Sequence, residues 1–113
     1  MVTQPTGPQL EVAARTFALL GAPVRLHLVA LAADGEYDVG GLAERAGVST
    51  ATASQHLSKL RLAGLVSARR VGKHQYYTVD DPHVLMMVHQ VFEHIAPDGS
   101  LAPDPPLDPT LRQ

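Results

Sequence analysis

Ala46-Gly47-Val48-Ser49 is the stretch on which the reading of this chain turns. Gly47 is free to take the left-handed backbone that closes a helix, Val48 can plug into a core, and Ser49 can cap the helix that follows. Together they spell the corner of a helix-turn-helix, and both flanks agree. Upstream, Asp38 is placed to cap a helix over Val39–Ala46. Downstream, a helix from Thr50 to about Ala63 gathers Ala53, Leu57 and Leu60 on one face and Thr50, Thr52, Ser54, Gln55, Ser58, Lys59 and Arg61 on the other, with Gly64 ending it.

Further out, Leu10, Val12, Ala13, Phe17 and Leu20 repeat at helical spacing over Gln9–Leu20, and Gly21 stops the pattern. Pro23 suits the first turn of a second helix running to about Ala33, which Gly35 ends. Glu36, Tyr37 and Asp38 offer no more than one extended rung. Beyond the corner, Leu65–Arg70 and His74–Val79 are rich in branched and aromatic residues and flank Val71-Gly72-Lys73, the pattern of a β-hairpin. Asp81-Pro82 opens a last helix with apolar residues from Val84 to Ile95. The predicted fold is mainly α, a winged helix-turn-helix of four helices, a two-stranded wing and a fifth helix. One domain over residues 9–96 is expected between a mobile arm, residues 1–8, and a disordered tail, residues 97–113, which has five Pro in seventeen residues.

A length of 113 residues supports one core, and 45% hydrophobic content with 4% aromatic residues and no Trp means a core of Leu, Val and Ala. Cysteine is absent, which removes disulfides, thiolate metal sites and thiol nucleophiles together. No window reaches the roughly 18 apolar residues of a membrane span, and Met1–Pro8 lacks a basic or long apolar run, so a cytoplasmic protein without membrane contact is expected. No GxSxG, phosphate-cradling glycine loop or HExxH is present, which argues against catalysis. The net charge of −2 is uninformative, but its distribution is not. Between Arg45 and Val79 stand Arg45, Lys59, Arg61, Arg69, Arg70 and Lys73 and no acid, while all eleven acids lie outside with only Arg15, Arg25 and Arg112. Such asymmetry is expected where one surface meets a polyanion.

Duplex DNA is the polyanion these elements fit. A helix entering the major groove needs small polar side chains at its N-terminal end, and Ser49, Thr50, Thr52, Ser54 and Gln55 supply them. Gln55 can pair with adenine through two hydrogen bonds. Lys59 and Arg61 are placed to hold phosphates, and Arg69, Arg70 and Lys73 of the wing to track the backbone beside it.

The run Ser54-Gln55-His56-Leu57-Ser58-Lys59-Leu60-Arg61-Leu62-Ala63-Gly64-Leu65-Val66 resembles the recognition helix and wing entry of ArsR/SmtB-type repressors. Leu20-Gly21-Ala22-Pro23-Val24-Arg25-Leu26 is similar to that family's entry to its second helix, and the likeness extends from about Ala13 to His94. The resemblance implies a homodimer joined through its first and last helices, with two recognition helices meeting successive major grooves of an inverted repeat.

Six histidines remain to be assigned. His27 sits among Leu26, Leu28 and Val29 and reads as structural; His56 and His74 read as packed or solvated rather than as DNA contacts. His83 and His94 fall within about 20° of each other on the last helix but roughly 16 Å apart along it. Antiparallel packing across a twofold axis would bring His83 of one protomer to His94 of the other, with Asp81 adding an oxygen and His89 pointing elsewhere. Asp81-x-His83…His94 is similar to the family's last-helix metal site, whose fourth donor position holds Pro97 here. Water, Glu93, Asp98 or the N-terminal arm would then complete the set. Nitrogen and oxygen donors without sulfur suit Ni(II), Co(II) or Zn(II), the open set favouring the first two. The resemblance thus implies a metal-responsive repressor. Two other readings stay open, a winged-helix regulator with no metal, controlled by an accessory protein or by nothing, and a metal-buffering or partner-binding protein on the same fold.

Overall fold

The computed structural model describes residues 4–103. Its first helix, α1 (Gly7–Leu20), starts two residues earlier than expected. Thr6 Oγ1 accepts from the Gln9 amide at 3.2 Å and Gln9 Oε1 accepts from the Thr6 amide at 2.9 Å. This reciprocal cap, with Pro8 preset for the first turn, draws Gly7 and Pro8 out of the segment read as an arm. Helix α2 (Pro23–Asp34) follows a sharp corner. Arg25 Nε closes that corner by donating to the Leu19 carbonyl at 2.7 Å, satisfying an acceptor that the end of α1 leaves open.

Asp38 caps α3 (Val39–Ala46), its Oδ1 accepting from the Gly41 amide at 2.8 Å. Gly47 then takes φ 72°, the left-handed conformation foreseen for it, and Val48 donates to the Ala43 carbonyl at 3.0 Å. Ser49 caps α4 (Thr50–Leu62), whose C-terminal cap is Ala63. The wing is β2 (Ser67–Val71) paired with β3 (His74–Thr78) in the register Val71↔His74 and Arg69↔Tyr76. Leu65 and Val66 are buried in the core ahead of the strand. A two-residue turn, Gly72-Lys73, connects the strands, with Gly72 at φ 60° as the tight primed turns require. A third strand, β1 (Tyr37–Asp38), pairs with β3 through Tyr37↔Tyr77, so the sheet order is β1-β3-β2.

Helix α5 (Pro82–Glu93) begins at the Asp81 cap and ends at His94. The chain then turns back: Ala96 N–H donates to the Ser100 carbonyl at 2.7 Å, Ala102 N–H to the His94 carbonyl at 3.0 Å, and Ile95 bridges Leu101. Residues 97–103, expected to be disordered, therefore open with a local turn. Asp98 stabilises it by accepting from both the amide and the hydroxyl of Ser100. The rest of that tail lies outside the described residues.

Leu28, Val29, Leu42, Leu57 and Leu60 are fully buried at the centre, sealed on the sheet side by Tyr77 and on the α5 side by Val84 and Val88. Helix α1 buries none of its residues, and Phe17 is left 63% exposed, as is Met86 of α5 at 66%. Among the described residues no single helix is long and apolar enough to cross a membrane. Together α1 and α2 reach the length, but they bend by 94° between them.

Candidate nucleic-acid interface

Ala53, Leu57 and Leu60 anchor α4 to the core, and the geometry of the candidate reading face follows from that. Side chains opposite these three must leave the molecule, and Thr50, Ala51, Ser54, Gln55 and Ser58 are all exposed. Ser54 and Gln55 thus stand where a groove could receive them. Ser49 and Thr52 are engaged with each other: Ser49 Oγ accepts from the Thr52 amide at 3.1 Å and lies 3.0 Å from Thr52 Oγ1. Thr52, half-buried, is first a capping residue rather than a base reader. Ala51, in the middle of the face, was missed because a methyl group carries no polar signal, although it can pack on a thymine methyl.

Of the six cations in the acid-free window, two are already committed. Arg45 lies over the Tyr37 ring, 4.5 Å from its centroid. Arg69 meets Glu36 through both prongs of its guanidinium, Nε to Oε2 at 2.6 Å and Nη2 to Oε1 at 2.7 Å. That bond holds the Glu36 carboxyl below the usual range and raises the Arg69 guanidinium further. The wing therefore contains an acid that the linear charge count placed outside it, and Arg69 is not the free phosphate-tracking cation expected. Lys59, Arg61, Arg70 and Lys73 are exposed. Lys59 and Arg61, two residues apart, leave α4 on opposite flanks, about 160° from each other, and Lys59 faces α1 across a groove lined by Val12, Arg15 and Leu19. Arg70 and Lys73 stand at the wing tip, with only a long contact, 3.4 Å, from Arg70 Nε to the Gly72 carbonyl.

Of the histidines, His27 departs from the sequence reading. It is exposed, since the fully buried residues of α2 are Leu28, Val29 and Ala32 and His27 falls outside the face they define. His56 is half-buried, and its Nδ1, fully buried, has no partner, which fits packing rather than DNA contact. His74 Nδ1 lies 3.2 Å from Asp38 Oδ2. His89 Nε2 lies 3.4 Å from Asp34 Oδ1.

At the start of α5, Asp81 Oδ1 accepts from the His83 amide at 2.8 Å and lies 3.2 Å from the His83 ring. The first of these bonds chiefly holds Asp81 below the ordinary carboxylate range, so it is ionised at neutral pH. The His83 ring is 98% exposed. His94 closes the other end of the helix, also exposed. Among the described residues no three metal-ligating side chains come together within one protomer. Asp98, a suggested extra donor, is occupied by Ser100, whose bonds lower its pKa. Glu93 is exposed and faces a groove between α2 and α5.

Comparison with known proteins follows the same outline. Residues 22–68 match the family described as bacterial regulatory protein, arsR family. The chain is 37% identical over 92 residues to the HTH-type transcriptional regulator KmtR of Mycobacterium tuberculosis, covering 79% of this chain and 71% of the relative. It is 39% identical over 94 residues to a probable mercury resistance operon repressor of Streptomyces lividans, covering 83% and 74%. Among solved structures, the homodimeric winged helix-turn-helix DNA-binding domain Mb0332 of Mycobacterium bovis superposes with a TM-score of 0.71 at 34% identity, over 81% of this chain and 87% of that one.

Proposed function

Because the chain belongs to the ArsR family of bacterial transcriptional regulators, we propose that it is a homodimeric, metal-responsive repressor reading an inverted-repeat operator in the cytoplasm. The observation that carries the reading is the uncovered first two turns of α4, where Thr50, Ala51, Ser54 and Gln55 face solvent together. Ser54 and Gln55 meet base edges, Ala51 packs on a thymine methyl, and Ser49 and Thr52 hold the N-terminus of α4 in shape for the approach. Lys59 and Arg61, on opposite flanks, suit a helix lying between two phosphate strands. Arg70 and Lys73 add sequence-independent affinity from the wing. The exposed apolar faces of α1 and α5, Phe17 and Met86 among them, are the surfaces through which two protomers join.

Asp81 and His83 of one protomer with His94 of the other are the proposed metal donors. They fit a borderline divalent cation: Asp81 is ionised, His83 is held beside it yet open to solvent, and the set offers nitrogen and oxygen without sulfur. Ni(II), Co(II) or Zn(II) bound there would crosslink the two last helices. The protein's part is to make the spacing of the two α4 helices depend on that seam, a coupling of typically about 1–3 kcal/mol. An accessory protein acting instead would leave DNA affinity indifferent to metal.

Calorimetry of the purified protein with each of the three ions, alongside anisotropy of a labelled inverted-repeat duplex, tests the reading. His94→Ala is expected to remove the seam's metal equivalent and the metal's effect on DNA affinity, while leaving metal-free DNA binding nearly intact. Unchanged metal dependence of DNA binding in that variant overturns the seam site. Binding to the duplex that is absent, or indifferent to salt, overturns the regulator reading itself.

A further inference from the structure

Helix α5 carries a second pair of donors on another face. His89 and Glu93, four residues apart, leave the helix within about 40° of each other, and His89 lies about 120° round from His83. Opposite them α2 presents His27 and Asp34, seven residues apart and so within about 20° on its surface. The four side chains line one groove of about 550 Å³, floored by Leu31 and Phe92. The groove is partly bridged already, with the His89 ring 3.4 Å from the Asp34 carboxylate. Both side chains are more than half exposed, so their torsions are free to adjust.

Two features point to a cation. Asp34 is the final residue of α2, where the helix dipole already concentrates negative charge, and no Lys or Arg lies in that turn or lines the groove. A carboxylate placed there calls for a positive partner, and the side chain that meets it is the His89 imidazole, a group that ligates divalent ions well. The second feature is composition. One imidazole and two carboxylates line the same part of the groove from two helices beside Leu31 and Phe92, and the four-residue spacing of His89 and Glu93 sets two donors on adjacent turns of one helix.

We propose that the α2–α5 groove is an intra-protomer site for a first-row divalent cation, Ni(II), Co(II) or Zn(II), held by Asp34, His89 and Glu93, with water completing the set and His27 lining the far end of the groove about 10.5 Å along α2 from Asp34. The site is distinct from the Asp81, His83 and His94 set and does not rest on it. Among the described residues no three of its donors are yet gathered around one point, so binding draws the groove closed. Helix α2 packs against α3, α4 and α5 alike. Closing its groove with α5 therefore ties the helix of the dimer seam to the scaffold of the reading helix within a single protomer.

Co(II) titration of the full chain, followed by its visible absorption and by calorimetry, tests the assignment. His83→Ala/His94→Ala is expected to keep one Co(II) per protomer, and His89→Ala/Glu93→Gln to lose that equivalent or bind it at least tenfold more weakly. Circular dichroism establishes that both variants, altered only at exposed positions, remain folded. In wild-type protein titrated with Zn(II), the ring nitrogens of His89 are expected to shift by NMR. The proposal is overturned if the His89/Glu93 variant binds Co(II) as the wild type does, or if the His83/His94 variant binds none. Loss of the seam equivalent alone bears on the dimer site and leaves this one standing.

Discussion

Replacing Lys73 by Gln should flatten the salt dependence of DNA binding, whereas replacing Arg69 by Gln should not. The two cations are four residues apart on one hairpin, but Arg69 is held by two short bonds to Glu36 and Lys73 stands free at the turn. With Arg45 on a ring and Arg69 on a carboxylate, each protomer offers Lys59, Arg61, Arg70 and Lys73, or eight cations in a dimer. At about 0.9 of a logarithmic unit per phosphate, the slope of log affinity against log salt then has a ceiling near −7, rather than the roughly −11 of six per protomer. Losing one contact per protomer changes the slope by about 1.8, so wild-type protein should lose about twelvefold more affinity between about 50 and 200 mM salt than Lys73→Gln does. Glu36→Gln, which releases Arg69, should steepen the slope by up to the same amount. The assay is fluorescence anisotropy of a labelled inverted-repeat duplex over a salt series. If Arg69→Gln flattens the slope as much as Lys73→Gln, the ion pair opens on DNA and the count of free cations is wrong.

Four further outcomes are expected. Gln55→Ala should cost about 1–3 kcal/mol and relax preference at one base position per half-site, measured on a panel of single-base operator variants; equal weakening on all of them would mean that Gln55 touches only phosphate. Gly47→Ala should destabilise by about 1–2 kcal/mol because a Cβ is strained at φ 72°. Gly40→Ala, in an open helical position, should stabilise by about 0.5–1 kcal/mol, both read from denaturant midpoints. The Ser100 amide resonance should titrate with Asp98 at a midpoint below the ordinary carboxylate range. The lowered pKa means that the turn's charged hydrogen bonds are complete at neutral pH and are lost only as acid protonates Asp98.

The corner between α3 and α4 was readable because its signals are local: a glycine that must turn left, a valine to bury and a serine to cap lie within four residues. Chain-distant pairing was not readable. Nothing in Tyr37-Asp38 says that it joins β3, because two residues show no period, and Glu36 finds Arg69 across 33 residues of sequence. The same distance hid the neutralised cation, since a charge count along the chain cannot see an acid that folding delivers from outside the window. His27 was misjudged by its neighbours in sequence rather than by its angle on the helix; Leu28, Val29 and Ala32 define the core face, and His27 falls outside it. In the tail, the density of proline outweighed Asp98-Gly99-Ser100, a turn signal that was legible. The family likeness suggested the proposed metal donors at both ends of α5, whereas the α2–α5 groove required coordinates, because its proposed donors lie up to 59 residues apart, from Asp34 to Glu93.

Helix α1 has a helical cap at one end and an arginine clasp at the other, yet its own chain buries none of its side chains fully, and only Leu19 and Leu20 at its end pack against the core. Its order is thus borrowed by mass action from whatever meets it, and the melting temperature of this protein should rise with its concentration. In a cell holding few copies, abundance itself would then set how much of this regulator is fully formed.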